Sequence, residues 1–473
     1  MQGSGADGAR RGRIPGPTGT RPHRFVRAPA LTLAALAIML LWVPVTTGLR
    51  FPSGLDERTH HIPTVAAYAD HLPGLDEMRD TRLPTLPLLH AVLGRLTRSA
   101  GDRVPAIRAW MLAAGLLAIL LYGRVASQIP GNDWRTATLS LAAFPYFGAS
   151  YFLVLTEGPG FLAVTAAVLA QIHYWRTEQT GSLWLAGLAG AAACLVQQNL
   201  IVVPAVFAAA VAVRAIALGR VVSTWRRLGP GGTLALVLPA LALAFQVWLW
   251  RGILPPFYEG LPGYYEPTLP ILSRSLLSVG ANVGYYLLPA TLAWAASRGR
   301  QLTVRTWSAL AAVSIGGAWF LRRVGVGGGA MTGTDGLFRH ALESIGHHGG
   351  ALVETAVVAL CLFSFSCVIT AGVARMMRTR QFDPGPEFLL FVLLVGTFLV
   401  TGFGLTTISE RSIVVVYALA CLTFLATHRW NESRLLWWGW AASVVFGVGQ
   451  GIFYAAAAYE LVPVASGLYG LLR

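Results

Sequence analysis

The chain contains no lysine; all 36 of its basic side chains are arginine. Charge of either sign is scarce. Asp, Glu, Lys and Arg together make up 12% of residues against 55% hydrophobic, at a mean hydropathy of +0.58. A soluble chain of 473 residues needs more charge than that to cover its surface, so a string of soluble domains is excluded. Cysteine is scarce too. The four present, Cys194, Cys361, Cys367 and Cys421, fall inside apolar runs, with neither the spacing of a zinc site nor the loop positions of a disulfide framework. The glycine-rich stretch from Gly325 to Gly336 lacks the Gly-Lys-Ser/Thr ending of a phosphate loop. His340, Glu343, His347 and His348 beyond it match no strong metal-ligand pattern and read as loop.

What the sequence has instead is apolar runs long enough to span lipid. They fall at 29–49, 104–122, 136–154, 158–174, 182–196, 199–217, 233–251, 283–297, 304–320, 351–373, 387–404, 412–427 and 435–459. The expected fold is therefore an all-α integral membrane protein with about 13 transmembrane helices. Residues 1–28 read as a disordered cytoplasmic tail rich in Gly, Pro and Arg, and 29–473 as one polytopic domain. The first run has no small-residue cleavage site and reads as a retained anchor. A net charge of +15 could indicate nucleic acid, but the arginines sit between apolar runs, at alternate loops. Arg124, Arg135, Arg176, Arg220, Arg226, Arg227, Arg375, Arg378, Arg429 and Arg434 share the side of the N-terminal arginines. The positive-inside rule makes that side cytoplasmic, and a bacterial inner membrane is the expected location.

Three segments then face outward: 50–103, the longest, about 252–282, and about 321–350. The first carries Gly54-Leu55-Asp56-Glu57-Arg58-Thr59-His60-His61-Ile62-Pro63, which places two adjacent carboxylates a few residues beyond the first span. A carboxylate at the lipid–water boundary can take a proton from a hydroxyl nucleophile; the same pair could equally form salt bridges with Arg50, Arg58 or Arg79. A second acidic cluster, Asp76-Glu77-Met78-Arg79-Asp80, leads into a Leu-Pro-rich stretch that suits helices lying along the interface. Glu157 falls in the turn between two spans at the outer edge, where ionisable groups are costly unless paired or functional. Gln197, Gln198 and Asn199 fall between the fifth and sixth runs, where amides can bind sugar hydroxyls or cap broken helices. Arg411 opens a late span at the same edge, and either pairs with phosphate or snorkels to the interface.

An acidic pair after the first span, then a second acid ahead of a Leu-Pro-rich helix, resembles the GT-C-type glycosyltransferases, which use polyprenyl-phosphate sugars. Within them the chain looks most like a bacterial relative of the dolichyl-phosphate-glucose-dependent alpha-1,2-glucosyltransferase family, which adds the terminal glucose of the lipid-linked oligosaccharide. The motifs run in order: Phe144-Pro145-Tyr146 to Thr156-Glu157-Gly158, Leu185-Ala186-Gly187, Gln197-Gln198-Asn199-Leu200-Ile201, and Ser409-Glu410-Arg411 before Ile413 to Tyr417. Val196 stands where that family has arginine, and Glu410 where it has asparagine.

The resemblance implies inverting transfer of a hexose, glucose by family, from a polyprenyl-phosphate donor to a glycan, lipid or protein acceptor on the outer face. Asp56 or Glu57 is then the base and Arg411 the partner of the leaving phosphate. His60, His61, Asp76, Glu77, Glu157, Gln197, Gln198 and Asn199 are implied substrate contacts. The leaving phosphate is already stable as an anion, so no metal or other cofactor is expected. Mannosyl and aminoarabinosyl transfer fit the same fold. A secondary transporter or lipid flippase is the alternative from another class, disfavoured because few acids lie mid-span and no internal repeat is visible.

Overall fold

The computed structural model describes residues 103–148, 157–251, 269–298, 302–324, 337–378, 385–404, 413–427 and 433–458, with short pieces at 41, 49–50, 62–65, 151, 153, 334–335 and 408–409. Among the described residues the chain is all-helical apart from one pair of two-residue strands. Its helices are α1 (Arg103–Ser127), α2 (Trp134–Ala143), α3 (Pro145–Gly148), α4 (Glu157–Thr177), α5 (Thr180–Val196), α6 (Val202–Ala217) and α7 (Val221–Trp250). They continue as α8 (Leu269–Arg298), α9 (Val304–Val324), α10 (Leu337–Arg378), α11 (Pro386–Gly404), α12 (Val414–Ala426) and α13 (Arg434–Ala458). Among the described residues, six helices are long and apolar enough to cross a bilayer, and three shorter ones are apolar throughout. The chain is a polytopic, all-helical membrane protein.

Each predicted span from 104 onward is helical, but three boundaries differ. The run at 136–154 is not one helix: Phe144 is extended (ψ 119°), because the proline ring at 145 crowds a preceding helical residue. The segment 252–282, expected as an outer loop, is helix from Leu269. The histidines expected in a loop at 340–348 lie in the first part of α10, which turns sharply at Gly350 (φ 77°).

Small residues let the helices approach. A β-carbon at Gly187 of α5 would stand 2.1 Å from the Ala235 carbonyl oxygen of α7, and one at Gly284 of α8 only 1.8 Å from the Cys361 carbonyl oxygen of α10. With lipid outside, van der Waals contact of this kind holds helices together. All four cysteines are buried and free, as small core residues. Outside the packing surfaces, Leu120, Leu185, Val213, Trp248 and Val313 are exposed, as an acyl-chain surround requires.

The helix termini gather into two ends. At one, which we call the basic end, α1, α4, α6, α8, α10 and α12 finish and α2, α5, α7, α9, α11 and α13 begin. The opposite end, which we call the acidic end after the carboxylates that the sequence is expected to bring there, receives the pieces at 49–50 and 62–65, the start of α4 and the strand pair. Arg322 and Arg323 close α9 at this opposite end, so the arginine bias between ends is one of degree.

Candidate active site

Two contacts tie the region beyond the first span to the acidic end. Arg108, an arginine inside an apolar helix and 1% exposed, donates from Nη1 to the Leu49 carbonyl at 2.9 Å. Val65, in the short helical piece at 62–65, packs in a cluster with Ile107 and Met111 of α1. Met111 leads on to α4, since a β-carbon at Gly158 would stand 3.7 Å from its Cε.

Gly158 follows Glu157, which is the first residue of α4 rather than part of a bare turn. Its half-buried side chain stands at the positive end of the helix dipole. Three residues after Glu157, a β-carbon at Gly160 would lie 3.8 Å from Gln197 Oε1 and 3.0 Å from Leu200 Cδ1. Gln197 breaks the chain between α5 and α6 by turning extended (φ −154°, ψ 115°). The next four residues, Gln198–Ile201, form a 3₁₀ turn, which lets the chain re-enter the bundle as α6. Within that turn the Asn199 Oδ1 is buried and accepts no hydrogen bond. A buried amide oxygen without a donor carries a penalty of about 1–3 kcal/mol that a ligand hydroxyl would relieve. Gln246 of α7 steadies the break by donating to the Cys194 carbonyl at 3.0 Å.

An aromatic cluster packs the interior where α2, α8 and α12 meet. Phe144 stacks on Tyr417 at 4.3 Å and meets the edge of Tyr286 at 5.1 Å. Tyr146 accepts a hydrogen bond through its hydroxyl from the Leu337 amide, which caps α10. Tyr151 is buried and stacks on Phe147 at 5.9 Å. The strand Thr334–Asp335 pairs in parallel with Ile408–Ser409, opposing Asp335 to Ser409.

The structure therefore brings Glu157, Gln197, Gln198 and Asn199 to one end of the bundle. Asp56, Glu57, His60, His61, Asp76, Glu77 and Arg411 lie outside the described residues. Arg108 and Gln246 were not anticipated. Arg108 had a legible signal, an arginine four residues into an apolar run; Gln246 had none beyond an amide in a span. Among the described residues no three His, Cys, Asp or Glu side chains converge as metal ligands. Glu343 is instead engaged with Arg339 at 2.8 Å and with His340 at 3.4 Å.

The basic end is built differently. Glu178, in the left-handed region at φ 55°, is held between Arg227, with which it makes a close ion pair, and Arg214 at 4.0 Å. Arg214 also donates to the Trp175 carbonyl at 2.8 Å and lies over the Trp175 ring at 4.7 Å. Arg176 donates to Gln128 Oε1 at 2.8 Å, joining the ends of α4 and α1.

No protein-family model matches the chain, nor does any curated protein. Among solved structures it is similar to ArnT from Cupriavidus metallidurans bound to undecaprenyl phosphate, at 13% identity and a TM-score of 0.37, over 85% of this chain and 78% of that one. So distant a likeness settles neither family nor reaction.

Proposed function

We propose that this protein is a membrane glycosyltransferase that moves a sugar from a polyprenyl-phosphate donor to an acceptor hydroxyl at its acidic end. The observation that carries the reading is the docking of the segment just after Asp56-Glu57 onto α1. Val65 meets Met111 there, and Met111 adjoins the start of α4 with Glu157 and, beyond it, Gln197. Acids and amides at the edge of a bilayer suit a substrate whose tail is in lipid and whose sugar is in water.

In this reading one carboxylate of the Asp56-Glu57 pair takes the proton of the acceptor hydroxyl. The freed oxygen attacks the anomeric carbon from the face opposite the phosphate. The bond between anomeric carbon and phosphate oxygen breaks, leaving polyprenyl phosphate and inverting the centre. The phosphate departs as a stable anion, and Arg411 supplies the guanidinium that pairs with it. Asn199 and Gln197 accept or donate to sugar hydroxyls. General-base assistance of this kind contributes about 10²–10⁴-fold in rate. The sugar is a hexose, glucose by the sequence resemblance, with the active face periplasmic by the positive-inside rule.

The test is direct. Purified protein given polyprenyl-phosphate glucose, mannose or aminoarabinose, each with a panel of glycan, lipid and protein acceptors, should release polyprenyl phosphate with one donor. Transport of a solute into proteoliposomes without any such release would refute the proposal in favour of a transporter.

A further inference from the structure

At the basic end, away from the proposed reaction and independent of it, α4 and α6 finish and α5 and α7 begin around a pocket open on one side. The guanidiniums of Arg214, Arg220 and Arg227 border it, against the single carboxylate of Glu178. Arg227 and Arg214 share that carboxylate, whereas Arg220 makes no ion pair among the described residues. Three cations facing one anion leave the pocket two positive charges in surplus.

The helix ends do not cancel that surplus. The negative poles are answered: Arg214 sits in the last turn of α6 and donates to the Trp175 carbonyl in the last turn of α4. The positive pole of α7 is not. Its N-cap is Arg220, a cation where an acid or hydroxyl is usual, and that side chain makes no capping hydrogen bond. No acidic residue stands in the first turn either, so positive side chain and positive pole coincide. Thr224, one turn on, and Thr180, the first residue of α5, add hydroxyls to the same lining.

The start of α7 also lies where lipid is. The helix turns at Gly229 (φ 58°), which sets Val221–Leu228 apart as a short helix ahead of the spanning part. On it Val222 and Trp225 are 64% and 54% exposed, while Leu228 is buried. Bare valine and tryptophan interleaved with Arg220, Arg226 and Arg227 are the pattern of a helix at headgroup level. An anion carried on a lipid meets both features at once.

We infer that this pocket binds the phosphate of an anionic phospholipid from the leaflet at the basic end. The phosphate accepts from the Arg220 guanidinium and the uncapped amides that open α7, with Thr180 and Thr224 beside it. The acyl chains run past Val222 and Trp225. Glu178 is a built-in competitor in the same pocket, so its charge opposes the lipid.

Native mass spectrometry tests this on the full chain, delipidated in detergent and then offered equal phosphatidylglycerol and phosphatidylethanolamine. One phosphatidylglycerol should be retained in preference, because the ammonium of the other lipid would meet the arginine surplus. Arg220→Gln should lower its retention about fivefold. Arg226→Gln, on the same short helix but outside the pocket lining, should leave it unchanged. Glu178→Gln should raise it several-fold, a gain that loss of a merely structural ion pair would not produce. Equal retention of the two lipids by the native chain would overturn the inference. So would a loss with Arg226→Gln as large as that with Arg220→Gln, which would reduce the effect to diffuse surface charge and decides the matter if Glu178→Gln does not fold. Unchanged or weaker retention in a folded Glu178→Gln chain would also overturn it. Inorganic phosphate displacing the lipid at equal concentration would overturn the lipid source.

Discussion

Two glutamates bracket α4, and their surroundings differ. Glu178, just past the end of the helix, sits on strained left-handed backbone between Arg227 and Arg214, beside a tryptophan that stacks on a guanidinium. Glu157, at its start, lies at the end of the bundle where the chain breaks at Gln197–Asn199 and the Asn199 Oδ1 accepts no hydrogen bond. The first carboxylate is consumed in joining helices. The second opens the helix at the end of the bundle where that amide oxygen accepts no hydrogen bond. Ion pairs alone therefore do not mark a working site; unspent polar capacity beside a carboxylate is the better sign.

Substitutions can break that comparison or sharpen it. The largest effect is expected from Asp56→Asn combined with Glu57→Gln, which should cut polyprenyl phosphate release about 10²–10⁴-fold while the melting temperature holds. Next comes Arg108→Met. It strands the buried Leu49 carbonyl and should cost about 1–3 kcal/mol, read as a lower melting temperature, with a drop in kcat. Asn199→Ala removes a hydrogen-bonding partner from the sugar and should raise KM several-fold, by about 1 kcal/mol of binding, with little change in stability. At the other end of α4, Glu178→Gln is the control. Its partly exposed ion pairs are each worth about 0–1 kcal/mol, so turnover should stay near the native value in a steady-state assay. A loss of turnover with Glu178→Gln matching that with Asn199→Ala would erase the distinction between the ends.

The helices were legible because lipid imposes one rule, that backbone polar groups be satisfied within the segment; every predicted span from 104 onward except 136–154, which breaks at Phe144, is helical over most of its length. Boundaries were less legible where helices outrun the apolar pattern. Residues 269–282 are polar enough to read as loop, yet Ser278 and Asn282 are buried against neighbouring helices. In the same way the histidines of α10 read as loop because one helical face stays wet. The Phe144-Pro145 break, by contrast, was written in the proline. Of the candidate site, Glu157 and the Gln197–Asn199 break were visible as polar residues between apolar runs, and the fold brings both to one end of the bundle. An arginine near a span terminus ordinarily snorkels; Arg108 is instead sealed in and donates to a carbonyl 59 residues away.

The central claim is that sugar transfer happens at the acidic end. Proteoliposomes with the protein in one known orientation, carrying the lipid-linked donor, can be given a membrane-impermeant acceptor on one side only. Product should form when the acceptor is on the side of Glu157 and Asn199. Product formed with acceptor only on the side of Glu178 and Arg227 would contradict the account.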